Sequence, residues 1–163
     1  MLRIDGDDML RLTKLTDYGI LLMTHMASPS GGLISSQELA EATRVPATTV
    51  SKLLQSLLAA GLLESVRGAH GGYRLSRAPD AISICDIIDC FEGHIALTEC
   101  NLEDAHCDQS AVCSTSNNWK KINRAVRQAL QSISLADMSR QDFMPVFQLQ
   151  RMLPLMEVRH DAT

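Results

Sequence analysis

Cys100, Cys107 and Cys113 fall within fourteen residues, with six and then five residues between them. Thiolates are soft ligands that select zinc, copper(I) or iron–sulfur clusters. The spacings are too loose for the CxxC pairs of a zinc ribbon. A cluster accepts irregular spacing, because its inorganic core sets the geometry. A set of unligated thiols is the competing reading, and the residues alone leave both open. Cys85 and Cys90 are different. They stand among Ile84, Ile87 and Ile88, where a cysteine acts as a small buried apolar side chain.

A second group suits nucleic acid. Thr48, Thr49, Ser51 and Lys52 sit at the start of an amphipathic stretch whose other face carries Val50, Leu53, Leu54 and Leu57. Small hydroxyl side chains can approach base edges and phosphates, and a lysine adds charge. Arg67, His70 and Arg74 surround the glycine-rich run Gly68-Ala69-His70-Gly71-Gly72. An arginine there can enter a minor groove or hold a phosphate. The bland alternative is a solvated polar face.

The elements that must hold these residues are short helices and a hairpin. Leu15 to Ala27 reads as a helix with Thr16 and Asp17 as capping residues, and Pro29-Ser30-Gly31-Gly32 breaks it. A second helix opens at Ser35, which forms capping-box spacing with Glu38, and runs to about Thr43. After the turn Arg44-Val45-Pro46, a third helix spans Ala47 to Ala60 and ends at Gly61. Leu62 to Val66 and Tyr73 to Ser76 then read as strands of a hairpin. Two helices joined by a tight turn and followed by a hairpin have the order of a winged helix-turn-helix. The predicted fold class is therefore mainly α, a winged helix-turn-helix with a two-stranded wing and a long C-terminal dimerisation helix.

Ser83 and Asp86 open a further helix that reaches Gly93. The polar stretch 96–116 holds the three spaced cysteines, and so long an irregular segment needs something to order it. A long helix follows from about Asn117 to Ser132, with Trp119, Ile122, Val126, Leu130 and Ile133 as an apolar stripe. That stripe needs a partner surface, and a second copy of the chain is the simplest one. The expected organisation is a DNA-binding unit over 9–78, a connecting helix and cysteine loop over 79–116, a dimerisation helix over 117–140, and a tail over 141–163 with no assigned role.

Bulk properties narrow the class. The chain has 163 residues, 45% hydrophobic and only 4% aromatic, so aliphatic residues must build the core. No apolar run reaches the roughly 20 residues of a membrane helix. The acidic start Met1 to Asp8 lacks the apolar stretch of a secretory signal, so a cytoplasmic location with reduced thiols is expected. The net charge of −4 is unevenly spread: 9–78 holds seven Lys/Arg against four Asp/Glu, and 79–163 holds seven against twelve. A basic first half suits a DNA-binding unit. No phosphate-binding glycine loop, HExxH pair or nucleophile elbow is present in the sequence, so an enzyme is not expected.

The stretch Met9-Leu10-Arg11-Leu12-Thr13-Lys14-Leu15-Thr16-Asp17-Tyr18-Gly19 resembles the opening of a known winged-helix regulator family. That family contains IscR, the nitric-oxide sensor NsrR and the SUF-system regulators. Ala60 to Leu75, with its Arg67-Gly68-Ala69-His70-Gly71-Gly72-Tyr73-Arg74 core, resembles it too, as does the three-cysteine loop followed by Trp119. The likeness runs from about Met9 to Met138. Ile95 to Cys100 and Val126 to Met138 are most similar to the proteobacterial SUF-system regulators. The resemblance implies a homodimer paired through the long helices, with one iron–sulfur cluster per subunit on Cys100, Cys107 and Cys113. It also implies binding to near-palindromic promoter DNA, with cluster state changing DNA affinity.

The fourth ligand departs from part of the family. Where IscR-type members have a histidine three residues after the last cysteine, this chain has Ser116. The acidic ligand of NsrR corresponds to Asp17, for which helix capping is an equal alternative. His106, Glu99 and Asp104 are further options. The cluster is expected to be 2Fe–2S, with 4Fe–4S open. The leading function is a cluster-dependent repressor of iron–sulfur assembly (SUF) genes. A nitric-oxide-sensing regulator is the near alternative. An iron–sulfur electron carrier is the alternative of another class, one that has no use for a winged helix.

Overall fold

The computed structural model describes residues 12–28, 32–68, 70–98, 113 and 115–140. Helix α1, Lys14–Met26, is capped by Thr13, whose hydroxyl accepts the Thr16 N–H at 3.4 Å. The expectation that Thr16 and Asp17 cap this helix is therefore corrected; both lie inside its first turn. The cause is tertiary. Glu92, far along the chain, accepts the Thr13 N–H at 2.8 Å and also the Thr16 hydroxyl. This buries Thr16 completely and leaves Asp17 exposed on the next position.

Helix α2, Ser36–Thr43, starts with the expected capping box. The Glu38 N–H donates to Ser35 Oγ at 3.2 Å, and the Ser35 N–H donates to Glu38 Oε2 at 2.8 Å. It ends on Arg44 in a left-handed conformation, and Val45 and Pro46 turn the chain into α3, Ala47–Ala59. Val50, Leu53, Leu54 and Leu57 form the buried face of α3, as their spacing predicts. Each such side chain contributes roughly 1.5–3 kcal/mol by leaving water. Gly61, at φ 69, turns the chain out of the helix.

Strands β1, Leu63–Val66, and β2, Gly72–Leu75, pair antiparallel with Leu63 opposite Leu75 and Glu64 opposite Arg74. Strand β1 starts one residue later than expected and ends where expected, and β2 lies one residue earlier than expected. Gly72 belongs to β2 because Ile34, just before α2, also pairs with the hairpin: Ile34 and Tyr73 exchange backbone bonds of 3.0 and 2.8 Å. A Cβ on Gly72 would stand 2.6 Å from the Ile34 carbonyl oxygen. The wing is thus clamped to the helix-turn-helix by backbone, and only glycine fits the approach.

A 3₁₀ turn, Pro79–Ala81, leads to α4, Ile84–Glu92, which has the expected Ser83/Asp86 capping box and ends at Gly93. Helix α5 spans Ser116–Gln131. A short helix α6, Leu135–Met138, opens with a third capping box, Ser134 with Asp137. The segment between α5 and α6 folds back on the start of α4: the Ile84 N–H donates to Ile133 O at 2.9 Å and the Leu135 N–H to Ile82 O at 2.8 Å. Ile82, Ile87 and Leu135 are fully buried in the same core as Leu22, Leu39, Leu53 and Leu57. The helix-turn-helix core therefore continues past residue 78 into α4 and α6. Helix α1 packs on α4 through Gly19, where a Cβ would stand 2.2 Å from the Phe91 ring. Among the described residues, no helix is long and apolar enough to cross a membrane.

Candidate nucleic-acid interface and cysteine site

The turn at Arg44-Val45-Pro46 aims the amino end of α3 outward. Thr48, Ser51 and Lys52 are exposed and Thr49 is half-buried. In a helix-turn-helix, this end of the second helix meets base edges. Ser51 Oγ donates to Ala47 O at 3.0 Å, so its proton is already engaged and its lone pairs remain for a donor. Helices α2 and α3 enclose a shallow groove lined by Ser36, Gln37, Ala40, Glu41, Ala47 and Ser51.

Arg67 and His70 are exposed at the wing tip. Arg74 is exposed as well, but it is paired across the hairpin: its Nε and Nη2 donate to Glu64 Oε2 at 3.0 and 2.8 Å. Both side chains are at least half exposed, so the pair is weak, on the order of 0.2–1 kcal/mol. A phosphate can displace the carboxylate.

Cys113 lies three residues before α5, in the segment that leads into the helix's amino end. The Thr115 hydroxyl, 3.3 Å from Sγ, and the backbone N–H groups of Thr115 and Ser116 hold its thiol below the ordinary thiol range. Such a thiol is poised to act as a thiolate ligand. Burial pushes the Cys85 and Cys90 thiols up instead, with the Asp89 carboxylate adding to the effect at Cys85. Cys85 is buried and Cys90 half-buried in α4, as their isoleucine neighbours predicted, whereas the Cys113 thiol is shifted the other way. Cys100 and Cys107 lie outside the described residues, as do Glu99, Asp104 and His106. Ser116, at the position of the alternative histidine ligand, opens α5. With Thr13 as the cap of α1, Asp17 stands exposed and free of the capping role.

The backbone at Ile95 and Leu97 is fixed to α5 by Asn123, and α5 is fixed to α4 by Arg127, neither of which belongs to a sequence motif. Asn123 is buried; its Nδ2 donates to Ile95 O at 3.2 Å and its Oδ1 accepts the Leu97 N–H at 3.0 Å. One turn on, Arg127 makes two parallel hydrogen bonds to Asp89 on α4. Burial pushes the Asp89 carboxyl up, but the Arg127 hydrogen bonds and charge outweigh it and hold the group below the usual carboxylate range. The only hint in the sequence is the i, i+4 spacing of Asn123 and Arg127 beside the apolar stripe. Of that stripe, Val126, Leu130 and Ile133 are half-buried, while Trp119 and Ile122 remain 40% and 46% exposed.

Residues 12–141 match the family Rrf2, described as iron-dependent transcriptional regulator. The chain belongs to the Rrf2 family. A regulator named NsrR from Bacillus licheniformis is 30% identical over 130 residues, 78% of this chain and 91% of that protein. The structure of CymR, the global cysteine regulator of B. subtilis, matches with a TM-score of 0.62 at 33% identity, covering 80% of this chain and 97% of that one. The structure of T. potens IscR matches with a TM-score of 0.60 at 32% identity, covering 79% of this chain and 85% of that one. This Rrf2 protein is accordingly a winged-helix, DNA-binding transcription regulator and not an enzyme. Among the described residues, the mostly helical architecture with one two-stranded antiparallel wing is the expected winged-helix fold.

Proposed function

We propose that this Rrf2 regulator is a homodimeric iron–sulfur-cluster sensor that represses cluster-assembly (SUF) genes. The observation that carries the reading is Cys113, whose thiol hydrogen-bonds Thr115 just before α5 and is held below the ordinary thiol range, and which is the last of three closely spaced cysteines. Cys100, Cys107 and Cys113 would supply three thiolates, and Asp17, from its own subunit or a second copy, a carboxylate oxygen. That donor set suits a cluster, with 2Fe–2S preferred to 4Fe–4S. When bound, the cluster supplies a redox-sensitive centre beside the helix that joins the subunits.

The chain's own residues provide the coupling. Helix α5 carries Cys113 ahead of its first turn, Asn123 against the loop's leading segment and Arg127 against α4. Trp119 and Ile122 offer an apolar surface for a second copy. A change at the cysteines therefore acts on α5, and through α5 on α4 and the shared core that seats the recognition helix. Thr48, Thr49, Ser51 and Lys52 would read the major groove, with Arg67, His70 and Arg74 on the flanking backbone or minor groove.

The test is binding of anaerobically purified protein, with and without its cluster, to the promoter of a SUF operon from the same genome. Cluster-dependent affinity supports the reading; equal affinity of both forms contradicts it. A second reading, nitric-oxide sensing, is favoured by the exposure of Asp17. Stoichiometric nitric oxide that leaves cluster and DNA binding untouched removes it.

A further inference from the structure

Arg44 is in the left-handed region, φ 58 and ψ 23, and is the only non-glycine residue with positive φ among the described residues. Glycine or asparagine takes this conformation at the end of a helix with least strain. A long cation here is therefore held against a local backbone preference. Its side chain is exposed. Among the described residues, no carboxylate lies within ion-pair distance of it, whereas Arg74, Arg77, Arg127 and Arg140 each have one. Arg44 also precedes the first residue of α3 by only three positions, at most about 10 Å of chain.

We propose that Arg44 is a phosphate anchor. Its guanidinium holds a DNA backbone phosphate beside the base pairs met by the amino end of α3, and so fixes the depth and angle of that helix. The inference rests on the DNA-binding reading of α3. The left-handed turn directs the chain, Val45 pins it into the core, and the exposed Arg44 side chain stands between α2 and α3 in the chain. Arginine suits the task because its planar fork matches phosphate geometry. An exposed cation at the end of α2 also favours the helix dipole. That role and the DNA role make opposite demands on a glycine variant.

The experiment compares full-length wild type, R44G and R44K on a labelled random-sequence duplex, at salt from about 50 to 200 mM. R44G relieves the backbone and removes the charge. It should melt at the same or a higher temperature, yet lose roughly three- to tenfold in affinity, with a salt slope smaller by about 0.9 per subunit. R44K should keep most of the slope. An R44G protein with wild-type affinity and slope overturns the proposal while leaving DNA binding intact. Lost binding together with a lowered melting temperature, unrescued in R44K, marks a structural role and also overturns it. A wild type that binds no duplex would sink the DNA-binding reading along with it.

Discussion

Asp89 and Arg127 meet through two parallel hydrogen bonds of 2.8 and 2.9 Å, joining α4 to α5 across a seam where both side chains are mostly buried. His94 lies 3.9 Å from the same carboxylate, and Cys85 Sγ 3.8 Å from it. The seam is polar, and its helix α4 also packs on α3 through the shared core. Removing one partner strands the other in a place water reaches poorly.

Arg127→Met should therefore destabilise the protein by about 2 kcal/mol, read by urea unfolding. The pH dependence has a defined sign. Asp89 is depressed in the folded state, so its contribution is present above the ordinary carboxylate value of about 3.9. It is lost as pH falls through the lower folded value. Wild type should lose stability between about pH 5 and 2 more steeply than Arg127→Met. Parallel curves would show that the pair contributes nothing.

Asn123→Ala should release the segment around Ile95 and Leu97, ahead of Cys100. Two hydrogen bonds vanish, leaving the Leu97 N–H and Ile95 carbonyl without their side-chain partner. The expected cost is about 1–2 kcal/mol. Hydrogen exchange at the Leu97 amide should accelerate by more than exchange in α3. Uniform acceleration across both regions would mean that Asn123 supports the whole fold and not this anchor.

Glu64→Gln should strengthen DNA binding. It frees Arg74 from its cross-strand partner and removes a negative charge from the wing. Affinity for duplex should rise about two- to fivefold, with a larger salt slope. Lys52→Ala should act in the opposite direction, with any bound cluster retained. A Glu64→Gln protein that binds as wild type does would place Arg74 away from the DNA.

The helix-turn-helix was legible because each of its signals is local. The Ser35/Glu38 and Ser83/Asp86 capping boxes need only three-residue spacing, and the α3 stripe only its helical period. Helix α6 carries the same signature, Ser134 with Asp137, but its short length hid it. What the sequence hid most deeply depends on distant residues. Thr13 outcompetes its polar neighbours as the cap because Glu92 reaches back to it. The inward placement of Asn123 and Arg127 depends on partners in α4 and in Ile95 to Leu97. Those partners are 26 to 38 residues away in sequence, beyond the reach of any periodicity.

A cluster on Cys100, Cys107 and Cys113 is tested by the visible absorption spectrum of protein purified without oxygen, beside the Cys100/Cys107/Cys113 triple alanine variant. The wild type should be brown and the variant should lack its visible bands, with both proteins equally folded by far-ultraviolet circular dichroism. A wild type that stays colourless after reconstitution with iron and sulfide, or a variant with the same bands, would contradict it.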